Sequence, residues 1–463
     1  MRNRILIVII GFAGGLAFPP FDPVAPLFQL LFLGAMFYFA SSAKSPKGAA
    51  LTAFVIAFSQ GLIAYAWLAE PFKFIGAQLI APVMVALMAA YVALYAAAAG
   101  WIVHRTKSAV AFGLAVGLLE WLRSFMFTGF AWNLVSVSWS FYLPVMQSLS
   151  LFGAYGLSAL TAMMAAFFSQ KSKAKWGFAI LAVLLIFGFA RLEKPKYTGL
   201  KVRLMNVAQA NPLVQDPMKL GKFELWANAA GAENVGLFAM PESASDSDLN
   251  LDPFALAAVM RMNNPRSVAI LGMMRWQGEE LFNALGVVGH AGILTSYDKR
   301  HLVPFGEYMP AWLPFLKKVT KGATAFSPGV DEPVLAIKNR TVTPLICFEA
   351  IFPGLRLRGE SDMLLNLSND AWFSPQGRAQ HFELSRMRAI EEGIPMVRAA
   401  NFGISAIISP FGHVGVALTE QGYVDGRMFA RGPRTLFGFT GNWLFVIIAL
   451  GGLIWIFLKP RRN

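Results

Sequence analysis

Cys347 is the single cysteine of the chain, so it has no disulfide partner within that chain. A lone thiol is either a small buried apolar group or a nucleophile, and taken by itself it reads as the first. Two further residues change the balance. Glu242 follows an apolar run at 235–240 across Pro241, and Lys299 follows a run at 292–297. Cys347 itself closes a run at 341–346, ahead of a predicted short helical turn. Three such groups at three predicted strand ends suit one pocket. The start of a helix favours a thiolate, and a carboxylate can take the thiol proton. An ammonium, with the backbone N–H of Phe348, can hold the oxyanion that forms when the sulfur attacks a carbonyl. The combination suits acyl transfer through a thioester.

The elements that must position these groups lie between residues 201 and 432, a block of ordinary soluble composition. Short strands are predicted at 201–208, 235–240, 267–274, 281–288, 292–297, 334–337, 341–346, 363–367, 396–400, 404–409 and 414–418. Helices are predicted at 217–230, 253–262 and 377–392. Strands and helices alternate first, and paired strands follow. That order points to an α/β sandwich with helices outside.

Everything around this block is apolar. The chain is 56% hydrophobic and only 14% charged, which excludes an ordinary soluble enzyme. About eight segments approach bilayer-spanning length, at residues 5–18, 24–40, 49–68, 76–103, 109–122, 143–168, 176–190 and 443–458. The first follows Arg2 and Arg4 and resembles a signal peptide, but it leads into Pro19 and Pro20 and another apolar run, so it reads as a retained span. The net charge of +14 raises nucleic-acid binding and then argues against it. Twelve Lys and Arg residues, which account for most of that charge, sit in acid-free linkers at 1–4, 41–47, 104–107, 170–175 and 459–463, which is every second gap. Positive charge stays cytoplasmic, so both termini are predicted inside and the Cys347 block outside the cytoplasm. Domains are expected at 1–192 (membrane), 193–435 (catalytic) and 436–463 (last span and basic tail).

Certain motifs carry a resemblance. Pro241-Glu242, the run from Tyr297 through Lys299 to Tyr308, and Cys347-Phe348-Glu349 are similar to those of the nitrilase, or carbon–nitrogen hydrolase, superfamily. The spans, the run from Phe127 to Trp132 and the run from Asn366 to Phe373 resemble its membrane-embedded branch, the apolipoprotein N-acyltransferases. The resemblance implies a polytopic helical membrane bundle carrying an αββα sandwich. It implies Glu242 as base, Lys299 as oxyanion partner and Cys347 as nucleophile, with Glu307 and Glu349 as auxiliary carboxylates. It also implies a membrane phospholipid, of phosphatidylethanolamine type, as acyl donor and diacylated lipoproteins as acceptors. No metal or organic cofactor is implied, nor nucleic acid, and a monomer in the bacterial inner membrane is expected. Met240 stands where the family usually has Trp, Phe348 where Tyr is common, and the loop after Gln209 lacks a Trp that some members carry.

Residues 302–328 are rich in aromatics and are read as a lid that meets the bilayer. Tyr308, Trp312 and Phe326 in it, Trp372 in a second loop, and Asn283 are the candidate substrate contacts. Lys317, Lys318 and Lys321 would meet anionic head groups. Glu120 and Arg123 lie one helical turn apart inside an apolar segment, and a functional pair and a structural one are both open. His301 reads as structural. Two other functions compete: a membrane-anchored amidase using water as acceptor, and a transporter or scaffold carrying a degenerate domain.

Overall fold

The structure is a computed structural model that describes residues 2–310, 325–330, 334–354 and 361–459. It divides into two compact units. One contains Met1–Glu193, Phe373–Met387 and Thr435–Asn463, and the other Lys194–Trp372 and Arg388–Arg434.

The first unit is helical. Each of the eight expected segments contains a helix: Arg2–Gly14, Ala25–Ser41, Pro46–Ala64, Ala81–Thr106, Ala109–Arg123, Leu149–Phe168, Ala174–Arg191 and Trp443–Leu458. Among the described residues, four are long and apolar enough to cross a membrane: Pro46–Ala64, Ala81–Thr106, Leu149–Phe168 and Lys171–Arg191. Several present large apolar side chains outward, such as Leu87, Leu94, Val183, Ile186 and Phe189, the reverse of a soluble helix. Starts are marked by side-chain caps: Ser45 accepts from the Gly48 N–H and Ser108 from the Ala111 N–H. Helix Ala109–Arg123 lies close to Leu149–Phe168 because Gly113 and Gly117 have no Cβ. One built there would come within 2.5 Å of the carbonyl oxygens of Ala159 and Tyr155. The segment expected as one span at 143–168 is broken instead. Leu143–Met146 is a separate short helix, and Gly153 inside the next one has φ 65 and ψ −173, a conformation open only to glycine.

The second unit is a sandwich. Its strands are β1 (Tyr197–Asn206), β2 (Leu237–Ala239), β3 (Val268–Gln277), β4 (Glu280–Gly289), β5 (Gly292–Asp298), β6 (Leu335–Ile337), β7 (Arg340–Ile346), β8 (Met363–Asn369), β9 (Met396–Asn401), β10 (Ser405–Ile408), β11 (Val414–Leu418) and β12 (Gly422–Phe429). Among the described residues they form two six-stranded sheets, in the orders β12-β1-β2-β3-β4-β5 and β11-β10-β9-β8-β7-β6. Both mix parallel pairs (β1 with β2, β2 with β3, β7 with β8, β8 with β9) and antiparallel ones. The parallel strands β8 and β9 are buried along their whole length, as strands covered on both faces must be.

Leu204, Ala239, Ile270 and Val287 of the first sheet share one core with Leu365, Leu367, Val397 and Ile407 of the second. Each large side chain so buried contributes about 1.5–3 kcal/mol. The first sheet's outer face is covered by helices Lys219–Ala227 and Pro253–Arg261, through Phe223, Ala227, Ala255 and Val259. Asp252 caps the second of these by accepting from the N–H groups of Phe254 and Ala255. Strand β12 was not expected from the sequence. It closes one edge of the first sheet antiparallel to β1.

Candidate active site

Glu242 stands beyond β2, where the chain passes close over β3. A Cβ on Gly272 would lie 2.5 Å from the Glu242 Cα, so only glycine fits there. The next residue, Ser243, has φ +55. Its carbonyl is held at 3.0 Å by the ammonium of Lys219, which is itself paired with Asp246 at 2.9 Å. These contacts aim the Glu242 carboxylate inward, where the side chain is 6% exposed.

Lys299 lies one residue past β5 and is 1% exposed. Its Nζ donates to Glu307 Oε1 at 2.8 Å and to Glu242 Oε1 at 3.3 Å. Asn283, on β4, donates through Nδ2 to the same two oxygens, at 2.7 and 2.8 Å. Glu242 Oε2 accepts from the Asn369 N–H at 2.7 Å, and Glu307 Oε2 from the Val303 N–H at 2.7 Å. Two carboxylates, one ammonium and one amide thus form a single buried cluster. Burial alone would lower the Lys299 pKa, but Glu307, Glu242 and Cys347 outweigh it and raise it. The amine is therefore charged at any working pH.

Cys347 takes the next place. It opens a single 3-10 turn, Cys347–Ile351, and has φ +48, a left-handed conformation that costs a non-glycine residue about 1–3 kcal/mol. The sulfur is buried and feels Glu242, Lys299 and Asp370. Burial pushes the thiol pKa up, the Glu242 carboxylate adds to this, and Lys299 opposes it. This corrects the sequence expectation of a thiolate favoured by a helix start. One five-residue turn offers little dipole, so the resting group is a thiol beside a carboxylate.

Glu349, whose sequence position allows either an auxiliary carboxylate or a cap for backbone N–H groups, is occupied by backbone. Its Oε1 accepts from Tyr297 Oη (2.8 Å) and from the N–H groups of Arg300 (2.9 Å) and His301 (3.1 Å). Its Oε2 accepts from the Ile346 N–H at 2.7 Å. Burial raises its pKa against the pull of these donors. The side chain clamps the segment after Lys299 to the residue before Cys347. The Phe348 ring meets Phe352 edge-on at 5.1 Å, and His301 packs 4.1 Å from Phe352, in keeping with a structural histidine.

The substrate candidates are distributed unevenly. Asn283 bridges the two carboxylates rather than standing on a loop. The Phe326 N–H donates to the Glu307 carbonyl at 2.9 Å, and the half-buried Tyr308 accepts at its carbonyl from the Phe305 N–H at 2.8 Å. Trp372 ends a short turn after β8 and is half-buried. Trp312, Lys317, Lys318 and Lys321 lie outside the described residues. A small polar cleft opens on Glu242, with Gln209, Ser243, Asp246, Asn369 and Asn401 among its walls. Asn369 was missed from the sequence, because a backbone N–H leaves no signature. Among the described residues no group of three or more His, Cys, Asp or Glu could hold a metal ion.

The Glu120–Arg123 pair is tied to a phenol and to backbone. Arg123 donates to Tyr65 Oη at 3.1 Å and to the Trp132 carbonyl at 3.0 Å, and Glu120 Oε1 accepts from the Val135 N–H at 2.8 Å.

Comparison with known proteins follows this division of the chain. Residues 10–167 match the model of the apolipoprotein N-acyltransferase N-terminal domain, and residues 211–423 that of carbon-nitrogen hydrolase. Among similar curated proteins, the apolipoprotein N-acyltransferase of Rickettsia prowazekii is 30% identical over 96% of this chain and 96% of its own. That of Rickettsia bellii is 31% identical over the same shares. That of Rhodopseudomonas palustris is 29% identical over 99% of this chain and 96% of its own.

Proposed function

Because the chain belongs to the apolipoprotein N-acyltransferase family, we propose that it moves a fatty acyl group from a membrane phospholipid, through a thioester on Cys347, to the α-amine of a lipoprotein's N-terminal diacylglyceryl-cysteine. The observation that carries this reading is the buried cluster of Glu242, Lys299, Asn283 and Glu307 with its charges bearing on a strained cysteine. Glu242 takes the Cys347 proton as the sulfur attacks the ester carbonyl. Lys299 and the Phe348 N–H hold the oxyanion. When it collapses, the ester C–O bond breaks and Glu242 returns the proton to the leaving lysophospholipid. The acceptor amine then attacks the thioester and gives its proton to Glu242. The C–S bond breaks, the amide forms and the thiol is restored. Glu307 holds Lys299 in place, and Glu349 braces the turn.

The wider assignment has its own supports. The acid-free basic linkers at alternate gaps support about eight spans with both termini cytoplasmic. They also support residues 193–435 as an extracytoplasmic catalytic domain at the bacterial inner membrane, between membrane segments at 1–192 and 436–463. Tyr308, Phe326 and Trp372 are aromatic groups next to Glu307 and Asn369, and we assign them to the acyl chain. A phosphatidylethanolamine-type donor and a monomeric enzyme complete the reading.

Intact mass tests it. Incubation with phosphatidylethanolamine and no acceptor should add one fatty acyl mass to the chain. Cys347→Ala should abolish the adduct, and a diacylated lipopeptide should discharge it as amide. An adduct that persists in Cys347→Ala rejects the nucleophile. An adduct that decays to free fatty acid at the same rate with and without lipopeptide makes the protein a hydrolase.

A further inference from the structure

Behind Cys347, on the side away from Lys299's sheet, lies a buried polar chain that the reaction above leaves unused. Ile346 of β7 pairs with Leu367 of β8, so the register sets Ser368 beside Cys347. Ser368 Oγ donates to Asp370 Oδ1 at 2.7 Å, and Arg398 on β9 donates to Asp370 Oδ2 at 2.7 Å. Arg398 also donates to Asn366 Oδ1 and, at 3.2 Å, to the Ile404 carbonyl. Ser368, Asp370 and Arg398 are each 0% exposed. The chain has no slack, since a Cβ on Gly403 would lie 2.3 Å from Asp370 Oδ2.

A serine hydroxyl has one proton to give and lone pairs to spare. At rest that proton is committed to Asp370. When Cys347 loses its proton to Glu242, the sulfur becomes an anion in a dry site and the strongest new acceptor in reach. Asp370 can release the hydroxyl, because the charge-assisted bond from Arg398 remains. We propose that Ser368 is a positioning residue for the Cys347 sulfur: its hydroxyl turns from Asp370 to the thiolate as that thiolate forms, with Arg398 holding Asp370 fixed. No bond other than a hydrogen bond changes, and the proton leaving sulfur goes to Glu242. The hydroxyl's effect on the thiol is in the same sense, favouring the thiolate, while Asp370 opposes it. The other charged groups facing the sulfur are Glu242 and Lys299 from the opposite sheet. On its own turn, Glu349 is engaged by backbone and Tyr297.

The proposal rests on Cys347 as nucleophile, but its test needs no acyl transfer. Cys347 is the chain's single cysteine, so alkylation by iodoacetamide, followed by intact mass across pH 6–10, reads that sulfur alone. Ser368→Ala should shift the rate–pH profile upward by about one unit, or about tenfold in rate at fixed pH. Ser368→Thr, which keeps the hydroxyl, should restore the original profile. A Ser368→Ala profile that overlays the original, or a Ser368→Thr profile shifted like it, overturns the proposal. It does so without touching the nucleophile assignment, which the acyl-adduct experiment decides. Should Ser368→Ala fail to fold, Ser368→Gly gives the same reading: the profile should move to higher pH, and an unmoved or lowered profile overturns the proposal.

Discussion

Two regions of the molecule bury a cation almost completely, and they do it in opposite ways. In the helical unit Arg123, 2% exposed, spends its donors on a phenol and a backbone carbonyl, while Glu120 accepts from a backbone N–H. In the sandwich unit Lys299, 1% exposed, spends its donors on two carboxylates that share an amide and bear on a thiol. Both satisfy the rule that buried charge must be paired or hydrogen-bonded. The partners make the difference. A cation that holds backbone fastens chain to chain. One shared between titratable groups sets their protonation, and such settings mark chemistry.

Removing each cation breaks the comparison most sharply. Lys299→Met leaves Glu242 and Glu307 buried without their counter-charge, which costs about 3–5 kcal/mol. It also removes the group proposed to hold the oxyanion, so acyl-adduct formation should fall about 10²–10³-fold. Arg123→Met leaves the Tyr65 hydroxyl and the Trp132 carbonyl unpaired at about 1–3 kcal/mol, takes the nearby positive charge from Glu120, and should leave the rate per folded molecule unchanged. Thermal midpoint and adduct formation, measured on both variants, separate the two roles. Equal loss of rate in Arg123→Met would erase the distinction.

A smaller effect sharpens it through pH. Burial pushes the Cys347 thiol up, and Lys299 and the Ser368 hydroxyl oppose the rise. A raised acid binds its proton more tightly, so the thiolate fraction at neutral pH lies below that of a free cysteine, and alkylation should climb through pH 9 without a plateau. Lys299→Met should lower the rate further at every pH in that range. Arg123→Met should leave the profile where it was. A plateau below pH 8 in the original chain would mean a thiolate at rest and would remove the need for Glu242 as base.

The strand ends were legible because strands alternate with turns and chemistry sits where strands stop. Glu242, Lys299 and Cys347 could be found that way: Lys299 donates to Glu242, and both bear on the Cys347 sulfur. Strand β12 escaped because Gly422, Asp425 and Gly426 interrupt its pattern. What holds it lies on β1, where Arg203 donates to Asp425 at 2.7 Å and stacks 4.4 Å over the Tyr423 ring. The break at Gly153 escaped because a glycine in an apolar run carries no sign of its φ. Asn283 could be named but not given its role, since bridging two carboxylates depends on strand register. Ser368 and Asp370 lay inside the 366–373 run without a role, and Arg398 had no local signal, because their chain joins two strands across a parallel pair. The direction of the thiol's shift was misread because burial depends on the whole sandwich and the dipole argument only on one turn.

The finest contrast lies inside the sandwich, between two carboxylates of the same type. Glu307 touches Lys299, Asn283 and one backbone N–H, and Glu349 touches one phenol and three backbone N–H groups. Glutamine keeps the size of either side chain but exchanges one acceptor oxygen for a donor. In Glu307→Gln the amide can still accept from Lys299 through its oxygen, but its N–H₂ then meets the Val303 N–H, the counter-charge is gone and Glu242 alone must balance the ammonium. Adduct formation should fall about tenfold, because a hydrogen bond to a charged group differs from a neutral one by about 1–2 kcal/mol, and the single unmade backbone bond should lower the thermal midpoint less than Glu349→Gln does. In Glu349→Gln an amide N–H₂ must face either the Ile346 N–H or the Arg300 and His301 pair. The loss should then appear as about 1–3 kcal/mol of stability, with the rate per folded molecule within about twofold at low temperature. If Glu349→Gln proves the slower enzyme and Glu307→Gln the less stable protein, the partner rule drawn from Arg123 and Lys299 fails at the site where it matters most.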